Sequence, residues 1–156
     1  MKTLLILVGK TTDKHFQAGI NDYVERICHY MPFELVTIPE LKNTKNLSEE
    51  QQKTAEGELI LKQLQPSDTV VLLDEHGHEF RSIELARWLE QKRNTARRLV
   101  FIIGGPYGFS PAVYARANEQ LSLSRLTFSH QMIRLVFTEQ IYRACTIIKG
   151  EPYHHE

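Results

Sequence analysis

Leu99-Val100-Phe101-Ile102-Ile103-Gly104-Gly105-Pro106-Tyr107-Gly108 decides the fold. An unbroken apolar run suits a strand buried on both faces, as in a parallel sheet. It stops on a glycine pair, where main chain can approach a ligand with no Cβ in the way. About a dozen residues later comes Leu121-Ser122-Leu123-Ser124-Arg125-Leu126-Thr127-Phe128-Ser129-His130, and then a long apolar helix. Both segments are rich in backbone donors and poor in bulky polar side chains. Together they point to a site for a flat, polar cofactor made by main chain. Gly104-Gly105 taken alone would read as a tight turn; the serine-rich second segment favours the cofactor site.

Working outward, strands alternate with helices. Thr3–Val8 is a buried strand ending at Gly9, and His15 to Tyr30 a helix with Phe16, Ile20, Tyr23, Val24 and Ile27 on one face. Glu34–Ile38 is the second strand, and Leu41–Leu47 a polar connection. Ser48 and Gln51 form a capping box for a helix that runs to about Leu64. Thr69–Leu73 is the third strand, with Asp74-Glu75-His76-Gly77 as its exit turn. Ser82 caps a helix through about Lys92, and Ser110-Pro111 opens a short one. Residues Leu121–Leu123 form a fifth strand. Ser129 caps the last helix, about His130–Lys149, which Gly150 ends. The expected fold is α/β, a parallel sheet with helices on both faces, over residues 1–156 as one domain.

The last helix carries Met132, Ile133, Leu135, Val136, Phe137, Ile141, Tyr142, Ala144, Cys145, Ile147 and Ile148, which leave little polar face. Such a helix is either central to a large core or half buried in a partner. In a domain this small a homodimer interface is favoured.

Nineteen basic and nineteen acidic side chains give zero formal net charge. That argues against coating nucleic acid non-specifically, which rests on counterion release by many Lys and Arg. Residues 81–98 nevertheless hold six bases (Arg81, Arg87, Lys92, Arg93, Arg97, Arg98) against two acids. They read as a solvated helix face or as a patch that meets phosphate. Cys28 and Cys145 have neither disulfide nor zinc spacing, so no metal is expected. The N-terminal apolar run is too short for a signal peptide and no stretch reaches membrane-spanning length, so the expected location is cytoplasmic, with no membrane partner.

In an open parallel sheet, ligands bind at the carboxyl ends of the strands, here after Leu73, at Gly104 and after Leu123. The dinucleotide, phosphate-loop and serine-hydrolase glycine motifs are absent. His130 and Arg134 stand four apart at the start of the last helix and would share a face, as proton acceptor and anion clamp; the alternative is a capping histidine and a paired arginine. Glu139 and Arg143, also four apart, read as a plain salt bridge. By composition the tail Gly150-Glu151-Pro152-Tyr153-His154-His155 reads as a frayed end.

At these residues the chain resembles the SPOUT methyltransferases, and among them the small RlmH (YbeA-like) group. The likeness runs from Leu7-Val8-Gly9-Lys10 through Leu72-Leu73-Asp74-Glu75-His76-Gly77. It is strongest in Phe101–Gly108, Leu121–Gln131 and Gly150–His155. The family often has proline where Ser129 stands here. The resemblance implies a C-terminal trefoil knot, against the general avoidance of knots. It implies S-adenosylmethionine held by Leu73, Gly104 and Leu123, Ser124, Arg125, Leu126, Thr127 and Phe128. It implies a homodimer in which one subunit's tail completes the other's site, which lifts Tyr153 and His154 from a frayed end to catalytic candidates beside His130 and Arg134. The implied reaction methylates N3 of a pseudouridine in the helix 69 stem-loop of 23S rRNA, on assembled ribosomes. The alternative is a non-catalytic RNA- or nucleotide-binding protein using the same pocket.

Overall fold

The computed structural model describes residues 2–155. In chain order the elements are β1 (Lys2–Val8), α1 (Lys14–Cys28), β2 (Phe33–Ile38), a 3-10 turn (Thr44–Asn46), α2 (Glu49–Lys62), β3 (Thr69–Glu79), α3 (Ser82–Thr95), β4 (Arg98–Ile103), α4 (Pro111–Arg116), β5 (Glu119–Ser122) and α5 (Met132–Lys149). The strands form one sheet in the order β2-β1-β4-β3-β5. Every neighbouring pair is parallel. This is the α/β architecture expected from the apolar strand runs.

Side-chain alternation sorts those runs into two cores. Leu5, Leu7, Val71, Phe101 and Ile103 face the layer of α1, α3 and α5. Leu4, Ile6, Val70, Leu72, Val100 and Ile102 face α2 and α4. Helices therefore cover both faces. Phe101 and Phe137 join sheet to α5, with ring centroids 4.9 Å apart; such pairs add about 1 kcal/mol beyond the area they bury.

The helix ends follow local chemistry. The Asp13 carboxylate accepts the N–H groups of His15 and Phe16 at the start of α1. Ser48 and Gln51 make the reciprocal capping box of α2. Gly150, at φ 78°, closes α5. Beyond it, Glu151 N–H reaches the Thr146 carbonyl and Gly150 N–H the Ile147 carbonyl, which is a Schellman closure.

β5 covers Glu119–Ser122 where Leu121–Leu123 was expected, and three further differences bear on the site. β3 does not end at Leu73: Leu121 of β5 stands opposite both Leu73 and His78, and residues 74–77 are looped out between them. Local patterning could not reveal this, because β5 supplies the partner that lets pairing resume. A Cβ on Gly77 would lie 2.6 Å from the Gln120 carbonyl carbon, so only glycine fits there. Arg81, not Ser82, occupies the cap of α3, where its N–H donates to Glu84 at 2.8 Å. α5 begins at Met132, whose N–H donates to Ser129 Oγ at 3.0 Å, so His130 precedes the helix.

α5 packs between α1 and α3. Phe137, Ile141, Ala144 and Cys145 are buried, whereas Ile133, Tyr142, Ile147 and Ile148 are only partly covered. Half of the basic stretch is spent within the chain. Lys92 pairs with Glu119, Arg98 with the buried Asp68, and Arg93 reaches the Tyr30 carbonyl. Arg81, Arg87 and Arg97 remain exposed. Among the described residues no helix is long and apolar enough to cross a membrane, and no group of three His, Cys, Asp or Glu could hold a metal.

Candidate active site

The carboxyl ends of β3, β4 and β5 enclose a cavity of about 650 Å³. Leu73 and the looped-out Asp74, Glu75 and His76 form one side. Gly104 to Phe109 form the second, and Leu121 to Ser124 with Leu126 to His130 the third. Its size falls within the range of small-molecule sites, about 300–1,000 Å³.

The second wall is built on aromatic contacts. A Cβ on Gly104 would stand 2.9 Å from the Phe109 ring, so this glycine makes room for a buried side chain. Phe109 meets Tyr114 edge to face at 5.7 Å. The Tyr114 hydroxyl in turn donates to Asp74 Oδ2 across the cavity. Burial, and then that bond, push the Tyr114 hydroxyl up to about 12. The other oxygen, Asp74 Oδ1, accepts the His76 N–H at 2.9 Å.

The third wall is shaped by its own serines. Ser122 Oγ donates to the Ser124 carbonyl, and Ser124 Oγ accepts the Leu126 N–H, each at 3.0 Å. Thr127, Phe128 and His130 continue around the cavity, with His130 exposed at its rim. Leu126 is 75% exposed. Arg125 turns outward to Glu79 at 3.0 Å and is not among the residues that line the cavity.

Of the twelve residues singled out from sequence, Leu73, Gly104, Leu123, Ser124, Leu126, Thr127, Phe128 and His130 line this one cavity. Arg134 does not. It is 0% exposed. Its guanidinium donates to the Val8 and Gly9 carbonyls and to Thr11 Oγ1 at 2.7, 2.9 and 3.0 Å. Burial lowers its pKa and the charge of Glu40 opposes that shift. Because α5 starts after His130, the two residues do not share a helix face, and the expected anion clamp is enclosed between β1 and α5.

The tail is docked rather than frayed. Tyr153 donates to Glu139 at 3.0 Å and meets Tyr142 edge on at 4.8 Å. Its ring also lies under Arg143, which contacts His154 Nδ1 at 3.1 Å. Glu139 and Arg143 do pair, at 2.6 Å, and the tail is seated on that pair. His154 borders a second cavity of about 410 Å³, which shares Leu121, Ser122 and Leu123 with the first. Within one chain, Tyr153 and His154 are therefore not brought to the wall that holds His130.

Sequence reasoning passed over Asp74 and Tyr114. In sequence Asp74 reads as part of an exit turn, and Tyr114 lies on a helix too short to show a face. The repeated register at Leu121 joins them, and no local motif encodes it.

The family described as "Predicted SPOUT methyltransferase" matches residues 1–154. The chain is 64% identical to the "Ribosomal RNA large subunit methyltransferase H" of Phocaeicola vulgatus over 157 aligned positions, covering 100% of both. The protein of that name from Bacteroides fragilis is also 64% identical, with the same coverage. That of Christiangramia forsetii is 56% identical over 99% of both chains. A whole-chain family match, full-length relatives, and a parallel sheet whose strand ends enclose one cavity agree: the chain belongs to the SPOUT methyltransferase family.

Proposed function

We propose that this protein transfers the methyl group of S-adenosylmethionine to N3 of a pseudouridine in the helix 69 stem-loop of 23S rRNA, on assembled ribosomes. The observation that carries the reading is the convergence of the Gly104 turn and the 123–128 segment on one cavity with His130 at its rim. The relatives' name supplies the RNA class.

The residues present fit such a donor. Gly104 and Gly105 keep main chain accessible at one wall, and the cavity is large enough for a nucleoside bearing an amino-acid arm. Leu73, Gly104 and residues 123–128 other than Arg125 would hold it. The donor supplies a methyl group already activated on a sulfonium. Placement of the target base against it accounts for much of the rate. The N3 proton must leave as the N–C bond forms, and His130, whose imidazole stands at the cavity rim, accepts it. Arg134 holds β1 to α5 and so positions the helix behind the cavity.

A homodimer is part of the same reading. The half-covered apolar residues of α5 form its interface. Tyr153 and His154 of one subunit serve the cavity of the other, gripping an extruded base by stacking and hydrogen bonding. The C-terminal knot belongs to it as well. Exposed Arg81, Arg87 and Arg97 would meet ribosomal phosphate.

The test is transfer of labelled methyl from S-adenosylmethionine to whole ribosomes and to free rRNA lacking the modification. Label at the N3 position on ribosomes is the expected result. Donor binding without transfer to either substrate would favour the non-catalytic binding protein.

A further inference from the structure

We infer that the donor cavity selects its ligand by charge: Asp74, fixed in place by Tyr114, favours a cationic sulfonium ligand over the matching neutral thioether. The inference rests on the donor reading above and adds a specificity-determining residue to it.

The argument begins with what faces the cavity. Among its described lining residues the carboxylates are Asp74 and Glu75, and there is no Lys or Arg. Arg125, the nearest cation in sequence, is turned away to Glu79. The remaining titratable side chains on the lining are His76, His130, Tyr107 and Tyr114. The cavity therefore carries net negative charge, which is unhelpful for a phosphate-bearing nucleotide and suited to a cation.

Asp74 is also held still. One oxygen takes the His76 N–H and the other the Tyr114 hydroxyl. Both donors are uncharged, so they orient the carboxylate without neutralising it. Tyr114 is a positioning residue: its ring rests edge-on against Phe109, which fills the space beside Gly104. The tie thus joins the looped-out residues of β3 to the opposite wall. A cavity of about 650 Å³ is comparable in width to a Debye length, about 8 Å at physiological salt, so a cation anywhere inside it feels this carboxylate.

Methyl transfer removes that attraction. The carbon–sulfur bond breaks with its electron pair left on sulfur, the carbon–nitrogen bond forms, and the N3 proton leaves. S-adenosylmethionine, with a net charge of about +1 at neutral pH, becomes neutral S-adenosylhomocysteine. The spent donor has lost the feature the cavity prefers, which speeds its replacement.

Calorimetry with S-adenosylmethionine and S-adenosylhomocysteine on wild type, Asp74→Asn and Tyr114→Phe tests this. Asp74→Asn should weaken the sulfonium ligand about tenfold and the thioether less than about threefold, with Tyr114→Phe shifting the ratio the same way by less. On the wild type alone, raising salt should weaken the sulfonium ligand selectively. Equal weakening of both ligands by Asp74→Asn, or no change in either, overturns the inference and leaves the donor reading intact. If Asp74→Asn does not fold, an equal salt response of the two ligands on the wild type overturns it. Failure of the wild type to bind either ligand overturns both the donor reading and this inference.

Discussion

Arg134, near the start of α5, donates to the carbonyl of Val8 at the end of β1, 2.7 Å away. One side chain thus ties the last helix to the first strand. Further bonds to Gly9 and Thr11 leave both terminal nitrogens of its guanidinium committed. Arg134→Ala should lose about 3 kcal/mol or more of stability, through orphaned carbonyls and a cavity. Urea unfolding measures it. A variant of near wild-type stability with abolished methylation would return Arg134 to the role of anion clamp.

Gly104 answers to Phe109 before it answers to any ligand. Gly104→Val should cost about 2 kcal/mol through overpacking as well as block donor binding. Phe109→Leu in the same chain should recover much of that stability and little of the binding. A double-mutant cycle reads the coupling; additive losses would mean the two residues do not compete for space.

Asp68 gives the fold an acid-labile joint. Burial alone would raise its pKa, but the Arg98 guanidinium, the Gln65 N–H and the charge of Arg116 together outweigh that and hold it below the usual carboxylate range. Arg98 bonds both its oxygens, at 2.8 and 2.6 Å. A depressed folded pKa means the stabilisation is present above the unfolded value, about 3.9, and is lost as pH falls through the folded value. Stability should therefore drop on acidification below about pH 4. Asp68→Asn should cost about 3 kcal/mol at neutral pH and flatten that acid limb. Thermal melts from acid to neutral pH compare the two.

The tail should matter more to reaction than to folding. A chain ending at Glu151 loses the Tyr153 contacts with Glu139 and Tyr142. That should cost about 1 kcal/mol of stability. On our reading it should leave donor affinity unchanged and slow ribosome methylation about a hundredfold. Full activity in the shortened chain would make the tail a packed terminus and nothing more.

A dimer through the half-covered side of α5 should be disrupted by a charge placed there. Ile148→Glu, at a partly covered position, should yield monomers in sedimentation with helical content retained. A wild-type monomer at micromolar concentration would end the dimer proposal.

What the sequence disclosed follows physical range. Apolar runs such as Leu99–Ile103 announce buried strands because each residue there is enclosed by both faces of the sheet, and Ser48 with Gln51 announces a helix start because the bonds are local. Gly104 and the 123–128 segment were legible as site walls because strand ends are where such sheets bind ligands. The enclosure of Arg134 was not legible, since its partners lie at the other end of the chain. Nor was the Asp74–Tyr114 contact, which depends on β3 resuming its pairing after an excursion.

That excursion separates two tasks usually carried by the same residues. Leu121 faces Leu73 on one side of it and His78 on the other, so the sheet closes over residues 74–77 as though they were not there. Their number and charge are free of the strand register, and Gly77 alone is bound by close contact with Gln120. That side of the cavity can therefore be recoloured or resized without moving a strand.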